Sequence, residues 1–173
     1  ITPSSLCCFC EWARPLLCLG NGFSSSEAYN KFIWNNTWLD AGSSENKACV
    51  TVDSKKGAQR FNLGSTFTKV ASINGGWSVD TRNYSTVGAS GHTGSDAERL
   101  APYNQYKFDQ NFPFGALLMD IPNHGYINVQ QSQQLPQSIG QTSIRINDAD
   151  NALGDNGGSL QVCFGKWSTT KIN

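Results

Sequence analysis

A short acidic stretch, "NDADNALGDNGGS" at residues 147–159, carries carboxylates at Asp148, Asp150 and Asp155. It lies between two segments that alternate apolar and polar residues, "TSIRI" and "SLQVCFG", so the sequence predicts a loop between two strands. Calcium takes six to eight oxygen ligands from carboxylates, amides and backbone carbonyls, and this stretch, the acidic loop, offers all three. Its glycines let the backbone turn sharply. The spacing predicts a calcium site, and the alternative is a hairpin loop whose Asp and Asn side chains cap their own backbone.

Several segments around the acidic loop match one family. They are "GALLM" at residues 115–119, "PNHG" at residues 122–125, and Asp148, Asp155, Asn156 and Gly158, with looser matches in "GGWSV" and "GASG". Over about residues 66–164 the chain resembles the LecA-type calcium-dependent galactose-binding lectins and the related domains of secreted bacterial enzymes. The resemblance implies a jelly-roll β-sandwich of the galactose-binding-like kind.

The resemblance also implies a set of calcium ligands. These are the side chains of Asp148, Asp155 and Asn156, and backbone carbonyls of Ala152 and of Val79 or Asp80. Two vicinal hydroxyls of a galactose-type sugar would complete the coordination. Ala152 stands where the prototype has threonine and Asp155 where it has asparagine, whereas Asp150 receives no role.

The sugar contacts follow less directly from the resemblance. Besides Asp148, Asp155 and Asn156, the prototype uses a His-Pro-x-Gln segment, for which "LAPYNQ" at residues 100–105 stands here without the histidine. In this segment Asn104 or Gln105 would replace the amide donor, and His92 would substitute for the missing histidine. Independently of the segment's match, Tyr103 is expected to stack on the apolar face of the sugar. Trp77 is either a second stacking surface or a core residue.

The elements that must position these residues are predicted to be strands. Gly and Asn interrupt the chain too often for an apolar stripe with helical period. The segments typical of strands are short, aromatic or β-branched and bounded by turn residues: "KFIWNNTWLDA", "KACVTVDS", "RFNLGSTFTKVASI", "GALLMDI", "GYINVQ", "TSIRIND" and "SLQVCFGKW". This pattern predicts an all-β jelly-roll sandwich. Residues 80–112 are predicted to form one long, weakly structured loop.

A chain of 173 residues suits one domain. Residues 1–25 are predicted to form an irregular N-terminal arm, processed or disulfide-rich, and residues 26–173 a single β-sandwich domain. Six cysteines are compatible with three disulfides of open pairing; four lie near the start of the chain, whereas Cys49 and Cys163 stand apart. With the sequons at Asn35 and Asn83, they favour a secreted, extracellular protein.

Charge and hydropathy exclude some partners. With 13 basic and 13 acidic residues and no basic cluster, the chain lacks the charge that dominates nucleic-acid binding. No apolar run approaches the roughly 20 residues of a membrane span. Glycans are the predicted partners, and because one shallow site binds weakly, assembly into a dimer or tetramer is expected.

Two other functions stay open. One is a structural or adhesive module in which calcium only stiffens a loop. The other is a small glycan hydrolase, which needs two carboxylates about 5 to 9 Å apart; Asp96, Glu98 and Asp109 are the candidates. Since no pairing among them can be defended from the sequence, the chain is predicted not to be an enzyme.

Overall fold

A computed structural model describes residues 42–44 and 47–166, which fold into two antiparallel four-stranded sheets. The first sheet has the order β1-β2-β8-β4 and the second β3-β7-β5-β6. The strands are β1 Gly42–Ser44, β2 Lys47–Asp53, β3 Gln59–Asn62, β4 Lys69–Ser78, β5 Leu117–Ile121, β6 Gly125–Asn128, β7 Gln141–Ile146 and β8 Gly157–Gly165. The remaining elements are helix α1 Gly94–Leu100 and 3-10 turns at Ala101–Tyr106 and Leu153–Asp155. The predicted all-β sandwich is confirmed.

The strand order is that of a jelly roll. Strand β2 pairs with β8, β3 with β7, and β5 with β6, all antiparallel, as in one long hairpin rolled into two facing sheets. The chain crosses between sheets after β2, β3, β4 and β7. Consequently, residues far apart in sequence meet at the ends of the sandwich.

Alternation of apolar residues builds the core between the sheets. In β8, Leu160, Val162 and Phe164 are buried while Ser159 and Gln161 are exposed, as expected for a strand with one inward face. The buried side chains of both sheets form one hydrophobic cluster. It contains Trp77, so the alternative in which this ring faces a sugar is not the one realised.

One disulfide joins the first sheet across two neighbouring strands. Cys49 in β2 lies directly opposite Cys163 in β8, and their sulfurs are bonded. The bond is typical of a protein that folds in an oxidising environment. The other four cysteines lie outside the described residues, as do the predicted N-terminal arm, the candidate strand "KFIWNNTWLDA" and the sequon at Asn35.

Two predicted elements differ in the structure. The segment "RFNLGSTFTKVASI" is not one strand but two, β3 and β4, which belong to different sheets and are separated by a turn at Gly64. The long loop at 80–112 contains helix α1 and the 3-10 turn that follows it. The helix escaped prediction because only Leu100 of its seven residues is buried, so no apolar stripe marks it. Within the described part of the chain, no helix has the length and apolar character to cross a membrane.

Candidate functional site: a cleft beside the acidic loop

The acidic loop borders an open cleft at one end of the sandwich. Strand β4 ends at Ser78, directly opposite Gly157, where β8 begins, so the residues after β4 lie beside the loop between β7 and β8. A backbone bond from the Thr81 N–H to the Asp155 carbonyl (3.3 Å) joins the two segments. The cavity measures about 850 Å³, and among the residues lining it are Val79, Asp80, Arg99, Tyr103, Asp148 and Asp155.

Gly158 allows this close approach of strands. Its φ is +89°, and a Cβ at this position would collide with the Gly76 carbonyl of β4. The glycine that belongs to the family pattern thus serves the pairing of β8 with β4.

Two oxygens of the acidic loop are buried without a partner. Asp148 is 3% exposed and Asn156 is 2% exposed. Asp148 Oδ2 and Asn156 Oδ1 have no hydrogen-bond partner in the described part of the chain. The Asn156 amide nitrogen donates to the Ser54 carbonyl (2.9 Å), which directs its oxygen away from that bond. Buried acceptors normally find a partner, so these two oxygens are available to a donor or to a cation, and carboxylate and amide oxygens are ligands that calcium takes.

The electrostatics of Asp148 point the same way. Burial raises the pKa of Asp148 to about 7; the neighbouring Asn156 amide opposes this shift and the charge of Asp155 adds to it. The increase reflects the free energy of holding a carboxylate away from water. A cation beside the carboxylate would offset that free energy and lower its pKa.

The residues present fit a calcium ion. Carboxylate oxygens of Asp148 and Asp155 and the amide oxygen of Asn156 are ligand types that calcium prefers. Ala152 lines the cleft and immediately precedes the 3-10 turn at Leu153–Asp155, and its carbonyl has two lone pairs, so a helical bond leaves one for a cation. Among the described residues, no three Asp, Glu, His or Cys side chains converge, which means that amide and carbonyl oxygens must complete the ligand set.

Asp80 lines the cleft, but its carbonyl and carboxylate oxygens already accept hydrogen bonds from neighbouring residues. Its carbonyl accepts from the backbone N–H groups of Asn83 (3.3 Å) and Tyr84 (3.0 Å) and from the Ser78 hydroxyl (3.0 Å). Its carboxylate accepts from the Arg82 N–H (2.9 Å) and the Asn83 amide (2.6 Å). Asp80 is therefore poorly placed to give a carbonyl to calcium. Val79, the other carbonyl that the resemblance implied, also lines the cleft.

A buried arginine, Arg145, supports the acidic loop, and the sequence pattern did not indicate this role. Arg145 in β7 is 1% exposed; its Nη2 donates to the Asp148 carbonyl (2.7 Å) and lies 2.8 Å from Asp150 Oδ1. Its guanidinium stacks 3.7 Å from the centre of the Phe108 ring. Asp150, for which the sequence indicated no role, thus compensates the charge of Arg145.

The acidic loop also anchors the segment that carries Tyr103. The Asn147 amide donates to the carbonyls of Asp109, Phe112 and Pro113 (3.0, 3.0 and 2.9 Å) and accepts from the Asp109 N–H (2.8 Å). The Ala149 N–H donates to the Tyr106 carbonyl (2.7 Å). The fully buried Asn147 therefore fixes one wall of the cleft relative to the other.

The expected sugar contacts lie in different places. Asn156 is buried and is not among the residues that line the cleft. Asp148, Asp155 and Tyr103 line the cleft, and Tyr103 is 50% exposed. Asn104 lines a smaller neighbouring cavity of about 230 Å³.

His92 is not placed to touch a sugar in the cleft. It is buried, its Nε2 accepts the Val79 N–H (3.3 Å), and its Nδ1 lies 3.5 Å from Asp96 Oδ2. Trp77 donates its Nε1–H to the Gly115 carbonyl (2.7 Å) inside the core. The core position of Trp77 is one of the two alternatives that the sequence left open, whereas the burial of His92 was not expected.

The carboxylates considered for hydrolysis lie outside the lining of the cleft. Asp96 accepts from the Ser85 N–H (2.9 Å), and Asp109 accepts from the Asn111 N–H (2.9 Å). Glu98 is exposed on α1. The arrangement does not present two of these groups to a substrate in the cleft.

Comparison with known proteins gives similarities among solved structures only. No protein-family model and no curated protein matches the sequence. Among solved structures, the chain is similar to one titled "EclA N-terminal domain; PllA-like lectin", with a TM-score of 0.49 and 17% sequence identity. The similarity covers 72% of this chain and 100% of that one.

Proposed function

We propose that the protein is a calcium-dependent glycan-binding lectin. The observation that carries the proposal is the pair of buried, unpartnered oxygens, Asp148 Oδ2 and Asn156 Oδ1, at the edge of an open cleft. Asp148, Asp155 and Asn156 would hold the ion with the carbonyls of Ala152 and Val79. Bound calcium would supply a fixed positive charge with open coordination sites for two sugar hydroxyls.

The chain's own residues would orient the sugar. Asp155 lines the cleft, and as a carboxylate it can only accept hydrogen bonds, so it would accept them from sugar hydroxyls. Tyr103 presents an exposed ring to the same cleft, where it can pack against the apolar face of a pyranose. We infer a galactose-type ligand from the sequence resemblance.

Retention on immobilised galactose tests the proposal. The protein should be retained in calcium and released by EDTA, and Asp148→Asn should abolish retention. Asp120→Asn is the matched control, because Asp120 lies in β5 and does not line the cleft. Retention that persists in EDTA would refute the calcium mechanism.

A structural role for calcium is the second candidate. It is favoured by the bond from Asn156 to Ser54, which ties the acidic loop to the end of β2, so that an ion there would stiffen one end of the sandwich. Calcium would then raise the melting temperature while no galactoside is bound. Measuring both quantities on one sample separates the two functions.

A further inference from the structure

The cleft contains a cation of the chain itself, on the wall formed by α1. Arg99 lies in the last turn of α1, and its side chain is 55% exposed. It lines the same cleft as Asp148 and Asp155. The cleft's volume of about 850 Å³ falls in the range of pockets that enclose ligands well larger than one monosaccharide. The cleft therefore has room for a glycan that is held at the acidic loop and also reaches the wall that carries Arg99.

The guanidinium of Arg99 is held in a defined position. Nη1 donates to the Asn83 carbonyl (2.9 Å), and the guanidinium carbon lies 4.8 Å from the centre of the Tyr84 ring. Both partners also line the cleft. Stacking and a single hydrogen bond reduce the rotamer freedom that a free arginine would lose on binding.

The charge of Arg99 is only partly compensated. Its nearest carboxylate oxygen, Asp96 Oδ1, is 3.6 Å away, beyond the length of a good hydrogen bond. Asp96 also accepts from the Ser85 N–H (2.9 Å) and faces His92 Nδ1 (3.5 Å). Asp96 thus divides its charge among three donors, and Arg99 has the longest of the contacts.

We propose that Arg99 forms an acidic subsite of the cleft, which binds a carboxylate of the glycan and gives the protein a preference for uronic-acid-containing ligands. The planar guanidinium presents paired N–H donors that match a carboxylate. With Nη1 bonded to Asn83, the edge formed by Nε and Nη2 remains for the ligand. The subsite rests on the proposed lectin function, since it needs the sugar to be held at the acidic loop.

Galacturonic acid and its methyl ester provide the test, because the ester has the same ring without the charge. Calorimetry would compare both sugars, the corresponding disaccharides and methyl galactoside, in calcium. The wild type should bind either galacturonic acid or the corresponding acidic disaccharide about tenfold more tightly than the methyl ester of the same sugar, as expected for a charge-assisted hydrogen bond. Arg99→Gln should remove the difference, and Arg99→Lys should restore part of it.

The controls separate the possible outcomes. Lys107→Gln removes an equal charge from a residue outside the lining of the cleft and should keep the preference. A preference that survives Arg99→Gln would show that calcium binds the carboxylate and would overturn the subsite. Equal binding of acid and ester by the wild type would overturn it too, while leaving the lectin function intact. If methyl galactoside itself fails to bind, the proposed function fails, and the subsite with it.

Discussion

Two segments that contain Asp and Asn border the same cleft and differ in how their polar atoms are satisfied. In the turn at 80–84, the Asp80 carboxylate accepts from the Arg82 N–H and the Asn83 amide, and the Asn83 hydrogen bond is the largest cause that lowers the pKa of Asp80. In the acidic loop, burial raises the pKa of Asp148 to about 7, and its Oδ2 lacks a partner in the described part of the chain. A self-capped turn and a loop prepared for a cation thus lie side by side.

The difference shows what distinguishes a candidate metal loop from an ordinary turn. Both segments are rich in Asp and Asn, so composition does not separate them. What separates them is the pairing of the carboxylate: both oxygens of Asp80 accept a hydrogen bond within its own turn, whereas in the buried Asp148 only Oδ1 has a donor, the Ala149 N–H (3.2 Å). Asp148 Oδ2 is left without a partner in the described part of the chain, and the burial of this carboxylate costs free energy that a bound cation would offset.

Removing the charge of Asp148 should have the largest effect. In Asp148→Asn, calcium affinity should fall at least about 100-fold, or about 2.7 kcal/mol. The metal-free protein should instead become more stable at pH 7.5, because a buried carboxylate is replaced by a neutral amide. Calcium titration by calorimetry and melting in EDTA measure the two effects. A variant that is less stable in EDTA and still binds calcium would contradict the assignment.

Acid should weaken calcium binding through the same carboxylate. Since the folded pKa of Asp148 is about 7 and an exposed Asp titrates near 4, the metal-free folded protein holds one more proton than the unfolded chain between these values. Its free energy of unfolding should therefore fall as the pH rises through this window. Below about pH 7 calcium must displace the proton, so its affinity should fall about tenfold per pH unit. Asp148→Asn should show neither slope, and a wild-type calcium affinity that is constant from pH 5 to 7 would exclude the assignment.

The sequence predicted the strands that border this site, but not the buried side chains that hold the acidic loop and the cleft wall in place. Alternation in "SLQVCFG" and "TSIRI" located β8 and β7 and therefore the loop between them. It could not reveal the role of Arg145, which reads as an outward-facing polar residue of a strand and is buried only because Asp150 and Phe108 meet it in three dimensions. The burial of His92 depends likewise on a tertiary contact, since its Nε2 accepts from the N–H of Val79, thirteen residues away along the chain. Calcium and galactose binding stay predictions.

Neutralising Asp150 should have a smaller effect than neutralising Asp148. Asp150 is 71% exposed and contacts the buried Arg145. Asp150→Asn should weaken that contact and destabilise the protein by about 1 kcal/mol, a value reduced by solvent screening. Calcium affinity should change less than about threefold, since the carboxylate faces Arg145. Chemical denaturation and calorimetry measure these effects; a loss of calcium affinity as large as that of Asp148→Asn would make Asp150 a ligand.

The smallest effect is expected at Asp80, and it completes the comparison of the turn at 80–84 with the acidic loop. Asp80→Asn keeps an acceptor oxygen for the Arg82 N–H and loses charge only at the contact with Asn83, so it should cost about 0.5 kcal/mol of stability. The loss should be the same in calcium and in EDTA, because the carboxylate is used by its own turn. Since the pKa of Asp80 is lowered by folding, its contribution is present above about pH 4 and lost as the pH falls below that value. Melting curves with and without calcium, at pH 7 and pH 3, measure this directly. If the Asp80→Asn variant is destabilised much more in calcium than in EDTA, then the Asp80 carboxylate contacts the ion, and the distinction between the self-capped turn and the cation loop does not hold.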